Sequence, residues 1–270
     1  MDTATPQAPP LSLTRPAARV AQITLDRSGS RNALSRAMMT ALETAIAELG
    51  SDPGVSAVIL AANGPAFCAG HDLKELTAHR ADADGGRAFY SDTMGQCARL
   101  MQAIVACDKP VIAAVEGIAT AAGCQLVATC DLAIAAETAT FATPGVNIGL
   151  FCSTPMVALS RNVPRKRAME MLLLGEMLHA NEAYDYGLVN RVVPRDAVLP
   201  AAVAMAERIA AKSTATVTIG KRTFYEQVEM PMAAAYATAA DVMVENMMYQ
   251  DAAEGIGAFI EKRPPVWSGC

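Results

Sequence analysis

The sequence lacks the signals that would place it in a membrane, a secretory route or a nucleotide-binding class. No uninterrupted apolar run of about 18 residues occurs, so we predict no transmembrane helix. The N-terminal segment has neither an apolar h-region nor an early basic cluster, so we expect no secretory signal. The G-x-G-x-x-G, Walker A and G-x-S-x-G motifs are also absent, which weakens the dinucleotide, nucleotide and serine-hydrolase hypotheses.

Charged residues are few, and positive charge is not in excess. They make up 18% of the 270 residues, and the net charge is −5. Because no overall basic field exists, we expect neither nucleic acid nor an anionic membrane as a partner. An anionic ligand would need a local basic patch. The three histidines, His71, His79 and His179, lie on separate segments without metal-ligand spacing, so we expect no metal site.

The cysteines do not form a disulfide pattern. There are seven of them, an odd number, and no C-x-x-C pair occurs. The simplest interpretation is reduced thiols in a cytosol-like compartment. We therefore expect a cytoplasmic protein, or one of the mitochondrial matrix if the source is a eukaryote. Asp2 and the late first arginine, Arg15, weaken the hypothesis of a mitochondrial transit peptide.

Apolar runs alternate with helical patterns over the first two thirds of the chain. Hydrophobic residues make up 52% of the sequence, enough for a sizeable core. Residues 20–25, 55–61 and 111–115 are predicted strands, and Ser35 is positioned to cap a helix that follows it. This alternation predicts an α/β layered domain.

The chain divides into three predicted segments. Residues 1–17 contain several prolines and are predicted to be a flexible tail, residues 18–205 form the main core, and residues 206–270 are mostly helical. One side of the predicted helix 231–249 carries Met232, Ala235, Tyr236, Ala239, Met243 and Met247. We favour core packing for this methionine-rich side, with a subunit interface as the alternative.

Two loops rich in small residues stand out, at 64–76 and 109–126. Each runs from a predicted strand through a small-residue turn into a helix. Small residues allow a ligand to approach the backbone closely, and a helix start presents unpaired N–H groups to negative charge. Two such turns facing each other could hold a carbonyl oxygen between two N–H donors. The alternative is that both are ordinary strand-to-helix turns.

From Val20 to its end the chain resembles the enoyl-CoA hydratase/isomerase (crotonase) superfamily. The landmarks occur in family order with family-like gaps, at residues 31–35, 66–73, 109–115, 130–135 and 183–193. The resemblance implies a crotonase-like core of repeated strand–strand–helix turns over residues 18–205 that binds acyl-CoA. It also implies that the C-terminal helices, 206–270, mediate assembly into a homotrimer or a dimer of trimers.

The resemblance also implies an oxyanion hole for an acyl-CoA thioester. Its donors would be the backbone N–H groups of His71 and Ala122, and the carbonyl of Ala69 would meet the adenine of CoA. No cofactor would be bound tightly, because coenzyme A enters as part of the substrate. Cations near the polyanionic CoA would be needed. The candidates are Arg27, Arg31, Lys74 and, from a neighbouring subunit, Lys262 or Arg263.

The usual catalytic carboxylates are missing from this sequence. Hydratases of the family use two glutamates, and the matching positions here are Gln125 and Gly145. A further acidic position of some isomerases and dehalogenases corresponds to Ser153. Residues 141–155 more closely resemble the branch called enoyl-CoA hydratase domain-containing protein 3, which has the same substitutions. Two hypotheses remain: a lyase- or isomerase-class enzyme of fatty-acid metabolism with weak or altered activity, or a non-catalytic acyl-CoA binder or regulator.

Three other polar residues in the matching segments are interpreted as structural. Asp72 and Asp131 are expected to hold loops through hydrogen bonds. Cys152 could act as a nucleophile, but the sequence supplies no evident base or fixed positive charge beside it. We therefore prefer packing as its role.

Overall fold

The computed structural model of the protein describes residues 9–269, which form ten strands and eleven α-helices. In chain order these elements are β1 (Leu11–Ala17), β2 (Val20–Leu25), α1 (Arg36–Ser51), β3 (Ala57–Ala62), β4 (Ala66–Cys68), α2 (Leu73–Ala78), α3 (Arg87–Ala106), β5 (Val111–Val115), β6 (Ile118–Thr120), α4 (Ala122–Thr129), β7 (Leu132–Ala136), β8 (Thr140–Ala142), α5 (Pro155–Asn162), α6 (Arg165–Leu174), β9 (Leu178–His179), α7 (Ala180–Asp185), β10 (Arg191–Val193), α8 (Val198–Ala210), α9 (Thr214–Gln227), α10 (Met232–Met247) and α11 (Gln250–Glu261).

The larger sheet has six strands in the order β1-β2-β3-β5-β7-β10. Its first pair is antiparallel, and all the other pairs are parallel. Residues of β3 and β5 are apolar on both faces and almost fully buried. Such continuous apolar runs are what a parallel sheet covered on both sides requires.

The smaller sheet repeats the same connection three times. Its order is β4-β6-β8-β9, with β4, β6 and β8 parallel and β9 antiparallel to β8. Each repeat places its first strand in the larger sheet (β3, β5, β7) and its second in the smaller one (β4, β6, β8). The predicted α/β core of repeated strand–strand–helix turns is therefore confirmed. The carboxyl ends of β4, β6 and β8 share one edge.

The predicted tail at residues 1–17 is wrong for its second half. Residues 11–17 form β1, which pairs with β2 over Leu11↔Leu25 to Ala17↔Val20. Pro16 is accommodated because β1 is an edge strand with a register shift between Thr14 and Ala17. Residues 1–8 lie outside the described part of the chain.

The predicted boundary between residues 205 and 206 is also wrong. It falls inside α8, whose residues Val198, Ala202, Met205 and Ala206 are buried. This helix packs across β2, β3, β5 and β7 and belongs to the core. The helical C-terminal region therefore begins with α9.

One buried ion pair fastens α9 to the core. The Nζ atom of Lys221 lies 2.7 Å from a carboxylate oxygen of Asp131, and it also donates to the carbonyls of Ile104 and Lys109, both at 3.1 Å. The Tyr225 hydroxyl donates to the other Asp131 oxygen at 2.9 Å. Asp131 is thus a structural residue, as the sequence predicts.

Helices α10 and α11 pack chiefly on α9 and on each other. No residue of α10 is buried, and Met232, Tyr236, Met243 and Met247 are all more than half exposed. The favoured interpretation of core packing for this side of α10 is therefore wrong, and the subunit-interface alternative remains.

Some features are absent from residues 9–269. None of the helices there combines the length and apolar character that a bilayer crossing requires. No three histidine, cysteine or acidic side chains in that range cluster as potential metal ligands. Its six cysteines are all free thiols.

Candidate functional site

Three loops meet where β4, β6 and β8 end. They are residues 69–71, 121–122 and 143–145. The Ala121 N–H donates to the Ala142 carbonyl at 2.9 Å, and the Thr120 hydroxyl donates to the Ala69 carbonyl at 3.2 Å. These bonds join the second loop to the other two. The parallel register thus assembles the predicted oxyanion residues at one edge of the smaller sheet.

The first two loops touch through Gly70. A methyl group placed on Gly70 would lie 3.3 Å from the Ala122 backbone nitrogen and 3.1 Å from the Thr120 carbonyl oxygen. Ala122 is the first residue of α4, a position whose N–H has no acceptor within the helix. The next residue after Gly70 is His71, and no described backbone oxygen accepts from its N–H. The two predicted oxyanion donors are therefore on facing loops.

The second loop is under backbone strain. Ala121 has φ 51° and ψ −119°, a region that normally requires glycine. The conformation is held from both sides, because the Ala121 N–H bonds Ala142 and its carbonyl accepts from the Gln125 N–H at 3.0 Å. Gly123 is obligatory, since any methyl group there would collide with the Cys68 carbonyl. The chain thus turns sharply into α4, at whose first residue the Ala122 N–H has no acceptor within the helix.

Gln125 lies one helical turn after Ala122 and is only 4% exposed. Its Oε1 accepts from the Cys97 thiol at 3.8 Å, and its Nε2 has no acceptor among the described residues. The side chain therefore offers an N–H donor where the resemblance places a catalytic glutamate. It cannot take up a proton as a carboxylate would.

Gly145 follows β8 in a short 3₁₀ turn and is tightly enclosed. A methyl group there would lie 2.7 Å from the Leu150 carbonyl oxygen and 2.9 Å from the Cys152 Sγ. The Leu150 N–H donates back to the Gly145 carbonyl at 2.9 Å. The space that a second glutamate would occupy is thus filled by the chain itself.

Ser153 does not replace either carboxylate. It is exposed, and its hydroxyl makes a long hydrogen bond of 3.4 Å to the Phe151 carbonyl. The neighbouring Cys152 is buried, and burial raises the pKa of its thiol, which keeps it protonated. The structure thus favours packing over nucleophilic chemistry for Cys152.

The His71 imidazole is fixed by one nitrogen. Its Nδ1 lies 3.3 Å from the Leu34 carbonyl oxygen, while its Nε2 is buried with no partner among the described residues. Burial lowers the pKa of this imidazole, opposed by hydrogen bonding to Leu34 and by the charge of Glu75. The ring is therefore neutral at physiological pH.

Three of the five predicted CoA cations belong to segments that adjoin the first loop. The Ala69 N–H donates to the Arg31 carbonyl at 3.0 Å, and the buried Asn32 side chain ties this segment to the Arg27 N–H at 2.7 Å. Lys74 stands in the first turn of α2, which begins two residues after His71. The Ala69 carbonyl keeps one lone pair beyond its bond to Thr120, so adenine N–H recognition remains open to it.

The other candidates stay with the C-terminal helices. Lys262 ends α11 in a left-handed conformation and is exposed. Arg263 is held by Glu254 and Glu261, each at 2.6 Å. Among the described residues, the contacts of Arg263 are with α11 and the segment after it, and none joins it to the first loop.

Asp72 is structural, as the sequence predicts. Its carboxylate caps α2 by accepting from the N–H groups of Lys74 at 2.9 Å and Glu75 at 3.2 Å. The cap fixes the segment that follows His71 and so helps to orient the first loop.

A separate pocket of about 680 Å³ lies at the amino ends of β5, β7 and β10, under α8 and α9. Its walls include Met205, Ile209 and Phe224, and its rim includes Arg191, Arg208 and Lys212. None of the oxyanion residues lines it. This pocket is therefore distinct from the loop cluster formed by residues 69–71, 121–122 and 143–145.

Sequence reasoning missed two residues of the site. Thr143, 1% exposed, has a hydroxyl with no hydrogen-bond partner among the described residues. Cys97 of α3 orients the Gln125 amide. Neither residue carries a sequence signal, because their roles depend on packing between elements far apart in the chain.

The fold and the loop cluster define a member of the crotonase class. Residues 15–270 match the family model described as enoyl-CoA hydratase/isomerase, and the chain belongs to that family. Among its relatives is the enoyl-CoA hydratase domain-containing protein 3, mitochondrial, of Rattus norvegicus. It is 45% identical over 260 residues, which cover 96% of this chain and 85% of the rat protein.

Solved structures agree with this assignment. A crystal structure of enoyl-CoA hydratase from Mycobacterium smegmatis is 51% identical with a TM-score of 0.91, and the match covers 96% of this chain and 99% of that one. The crystal structure of human enoyl-CoA hydratase domain-containing protein 3 is 44% identical with a TM-score of 0.90, covering 96% and 100%. The predicted resemblance to the superfamily and to this branch is confirmed.

Proposed function

We propose that the protein binds an acyl-CoA thioester, with the thioester oxygen between the backbone N–H groups of His71 and Ala122. The observation that carries this proposal is the contact of Gly70 with the Ala122 nitrogen, at 3.3 Å from an ideal methyl position. This close approach of the two loops, in which the Ala121 Cβ also lies 2.9 Å from that methyl position, supports a shared site for the two backbone donors. Such preorganised donors favour a carbonyl oxygen that gains negative charge.

Arg27, Arg31 and Lys74 support the CoA part of the ligand. The Arg31 carbonyl accepts from the Ala69 N–H, Asn32 ties Arg27 to the same segment, and Lys74 is in the first turn of α2. Local cations of this kind compensate for a chain whose net charge is −5. Coenzyme A is then part of the ligand and not a resident cofactor.

Calorimetry with a matched pair of ligands tests the oxyanion hole. Butyryl-CoA has the thioester carbonyl, and S-butyl-CoA, a thioether, lacks it. Because the two ligands differ in one hydrogen-bond acceptor group, we expect the thioester to bind about five- to tenfold more tightly. Equal affinities would contradict the proposed oxyanion hole. The absence of heat with either ligand at millimolar concentration would contradict acyl-CoA binding altogether.

We propose that the catalytic activity of this site is weak, or differs from hydration of an enoyl-CoA. Gln125 donates where a base is needed, and Gly145 has no side chain and no room for one. General acid or base groups each contribute about 10²–10⁴-fold to a rate, so hydration of crotonyl-CoA should be very slow. The loss of crotonyl-CoA absorbance measures it. Turnover near the enzyme median of about 10 s⁻¹ would contradict this proposal.

Non-catalytic acyl-CoA binding is the second candidate function. The same missing carboxylates favour it, because they leave the binding donors intact and remove only the proton-transfer groups. The names of the relatives, which contain enoyl-CoA hydratase, favour the enzyme class. The word mitochondrial in the rat relative's name favours the matrix if the source is a eukaryote, and the cytoplasm remains the prediction otherwise.

The proposed assembly is a homotrimer or a dimer of trimers. Its support is the exposed side of α10, where Met232, Tyr236, Met243 and Met247 form an apolar face outside the core. Light scattering at micromolar concentration gives the mass. Tyr236→Arg with Met243→Arg should release monomers that retain the fold of the core. A monomeric wild type would contradict the proposal.

A further inference from the structure

The pocket of about 680 Å³ beneath α8 and α9 has largely apolar walls. Its lining includes Leu132, Met205, Ile209 and Val217, and also Phe224, which is 57% exposed. Pockets that bind small molecules have volumes of about 300–1,000 Å³, so this one is large enough for a ligand. Because an aromatic ring exposed to this extent forgoes most of the free energy of burial, an apolar group that covered it would bind favourably.

The two least exposed charged side chains of the lining are already paired with each other. Lys221 and Asp131 have side chains that are 7% and 13% exposed. Lys221 donates to Asp131 and to two backbone carbonyls, which uses all three of its N–H bonds. Asp131 also accepts from the Tyr225 hydroxyl and the Val111 N–H. Since these groups are satisfied, the inner part of the pocket favours a hydrocarbon chain over a charged group.

The rim of the pocket carries three exposed cations, Arg191, Arg208 and Lys212. Within residues 9–269 their side chains take part in no ion pair or hydrogen bond. Arg208 and Lys212 lie at the end of α8, where a cation offsets the helix dipole, but Arg191 begins the strand β10 and has no such role. In a chain whose net charge is −5, this local positive cluster favours an anionic group at the mouth of the pocket.

We propose that this pocket binds a single-chain amphipathic anion, with its hydrocarbon chain against Ile209 and Phe224 and its charged head at the cationic rim. A free fatty carboxylate and an alkyl phosphate share this chemistry. Because the ligand would contact both α8 and α9, and α9 supports α10 and α11, binding should stabilise the helical C-terminal region. The site lies outside the oxyanion loops and does not depend on the proposed thioester site.

Trp267 supplies an intrinsic probe for this site. It is the one tryptophan of the chain, and its Nε1 donates at 2.9 Å to the carbonyl of Ala211, which lines the pocket. Octanoate, octyl phosphate, 1-octanol and butyrate are titrated against the full chain by calorimetry and tryptophan fluorescence. We expect both octyl anions to bind and to change the fluorescence, and the tighter of the two identifies the head group.

The other two ligands separate the contributions of charge and chain. 1-Octanol keeps the chain without the charge, and we expect it to bind about five- to tenfold more weakly than octanoate. Butyrate keeps the charge with four fewer methylene groups, and we expect it to bind at least about tenfold more weakly. Equal binding of octanoate and 1-octanol would overturn the cationic rim. Failure of both octyl anions to bind at millimolar concentration would overturn the site.

Variants of exposed residues assign the binding to this pocket. Arg191→Gln with Arg208→Gln should weaken octanoate binding about three- to tenfold and leave 1-octanol binding unchanged. Phe224→Gln should weaken both ligands. The matched control is Arg165→Gln with Lys166→Gln on α6, where two exposed cations lie outside the lining, and it should change neither affinity. Octanoate binding that is unaffected by the rim and Phe224 variants would overturn the assignment.

Two further measurements exclude other interpretations of the same pocket. Saturating butyryl-CoA should leave octanoate binding unchanged, and competition between them would place octanoate at the thioester site and overturn the proposal. Light scattering should give the same mass for the wild type and the Arg191→Gln, Arg208→Gln variant. A change of mass would make the pocket a contact between copies of the chain and would also overturn it. Failure of butyryl-CoA itself to bind would contradict only the proposed function.

Discussion

Gly145 packs directly on Cys152, so that a methyl group on the glycine would come within 2.9 Å of the thiol sulfur. The Leu150 carbonyl closes the same space from a second direction, at 2.7 Å. The site has therefore lost more than a carboxylate at this position. A glutamate placed there would require the backbone near Leu150 to move.

Gly145→Ala is expected to destabilise the protein. Because the new methyl group meets a backbone carbonyl as well as a side chain, overpacking should cost about 1–3 kcal/mol. Urea unfolding followed by circular dichroism measures the change. Gly220→Ala is the matched control, since a methyl group in this exposed part of α9 meets nothing and should raise stability by about 0.5–1 kcal/mol. If Gly145→Ala left the free energy of unfolding unchanged, the backbone of residues 145–152 would be able to move aside without cost, which contradicts this prediction.

Ala121→Gly is expected to stabilise the protein while keeping ligand binding. The alanine adopts φ 51° and ψ −119°, and such strain costs about 1–3 kcal/mol. Relief of that strain should exceed the entropy cost of a new glycine, about 0.5–1 kcal/mol. Chemical denaturation gives the free energy of unfolding, and calorimetry with butyryl-CoA checks the site. A net loss of stability would mean that the backbone at Ala121 is not strained.

Lys221→Met is expected to be strongly destabilising. Its removal leaves the mostly buried carboxylate of Asp131 with only neutral donors, and breaking a buried pair from one side costs about 3–5 kcal/mol. Thermal and urea unfolding measure it. Lys212→Met is the control for loss of a positive charge near the same helix, and because Lys212 is exposed its effect should stay within about 0.5 kcal/mol. Similar effects of the two substitutions would contradict the anchoring role of Lys221.

His71 is expected to lower the free energy of unfolding as the pH falls. Its folded pKa is lowered by burial, so below about pH 6.5 the unfolded imidazole binds a proton that the folded one resists. Stability should decline between pH 7.5 and 5.5. His71→Asn retains a donor for the Leu34 carbonyl and cannot titrate, so its decline over this range should be smaller. Identical pH profiles for the two proteins would rule out a buried neutral imidazole.

Other groups with shifted pKa values act in a different pH range. Hydrogen bonds lower the pKa of Asp52, Asp84 and Glu254, and desolvation by burial opposes the lowering of the Asp251 pKa, where hydrogen bonds together outweigh it. For carboxylates with lowered pKa values, the stability contribution is present at neutral pH and is lost only in acid, below their ordinary values of about 4. They should not contribute to the slope between pH 7.5 and 5.5.

Local sequence signals located many of the elements correctly. Strands β2 and β5 have the predicted bounds, and Ser35 caps α1 by accepting from the Met38 N–H at 3.2 Å. These features depend on residues that are close together in the chain. The three-residue strands β6 and β8 gave no such signal, because a strand this short shows no period and is defined by its neighbours in the sheet.

The candidate site was predictable in part. Family landmarks placed His71, Ala122, Gln125 and Gly145 on the chain, and the structure brings the loops that carry them together. The enclosure of Gly145 and the unpaired Thr143 hydroxyl were not predictable, since both arise from contacts between segments that pack only in the folded chain. The α10 pattern misled for a related reason. A helix face that packs on another subunit has the same apolar period as one that packs on its own core.

Because α10 contributes no residue to the interior of its own chain, this helix has little to gain from folding alone. Its order would have to come from whatever covers Met232, Tyr236, Met243 and Met247. If that partner is a second copy, stability becomes a property of concentration, and the melting temperature should rise as the protein is concentrated. Newly made chains would then exist for a time as monomers at low concentration. In these monomers the apolar face of α10 is exposed, and helices α10 and α11 would be the first targets for chaperones and proteases.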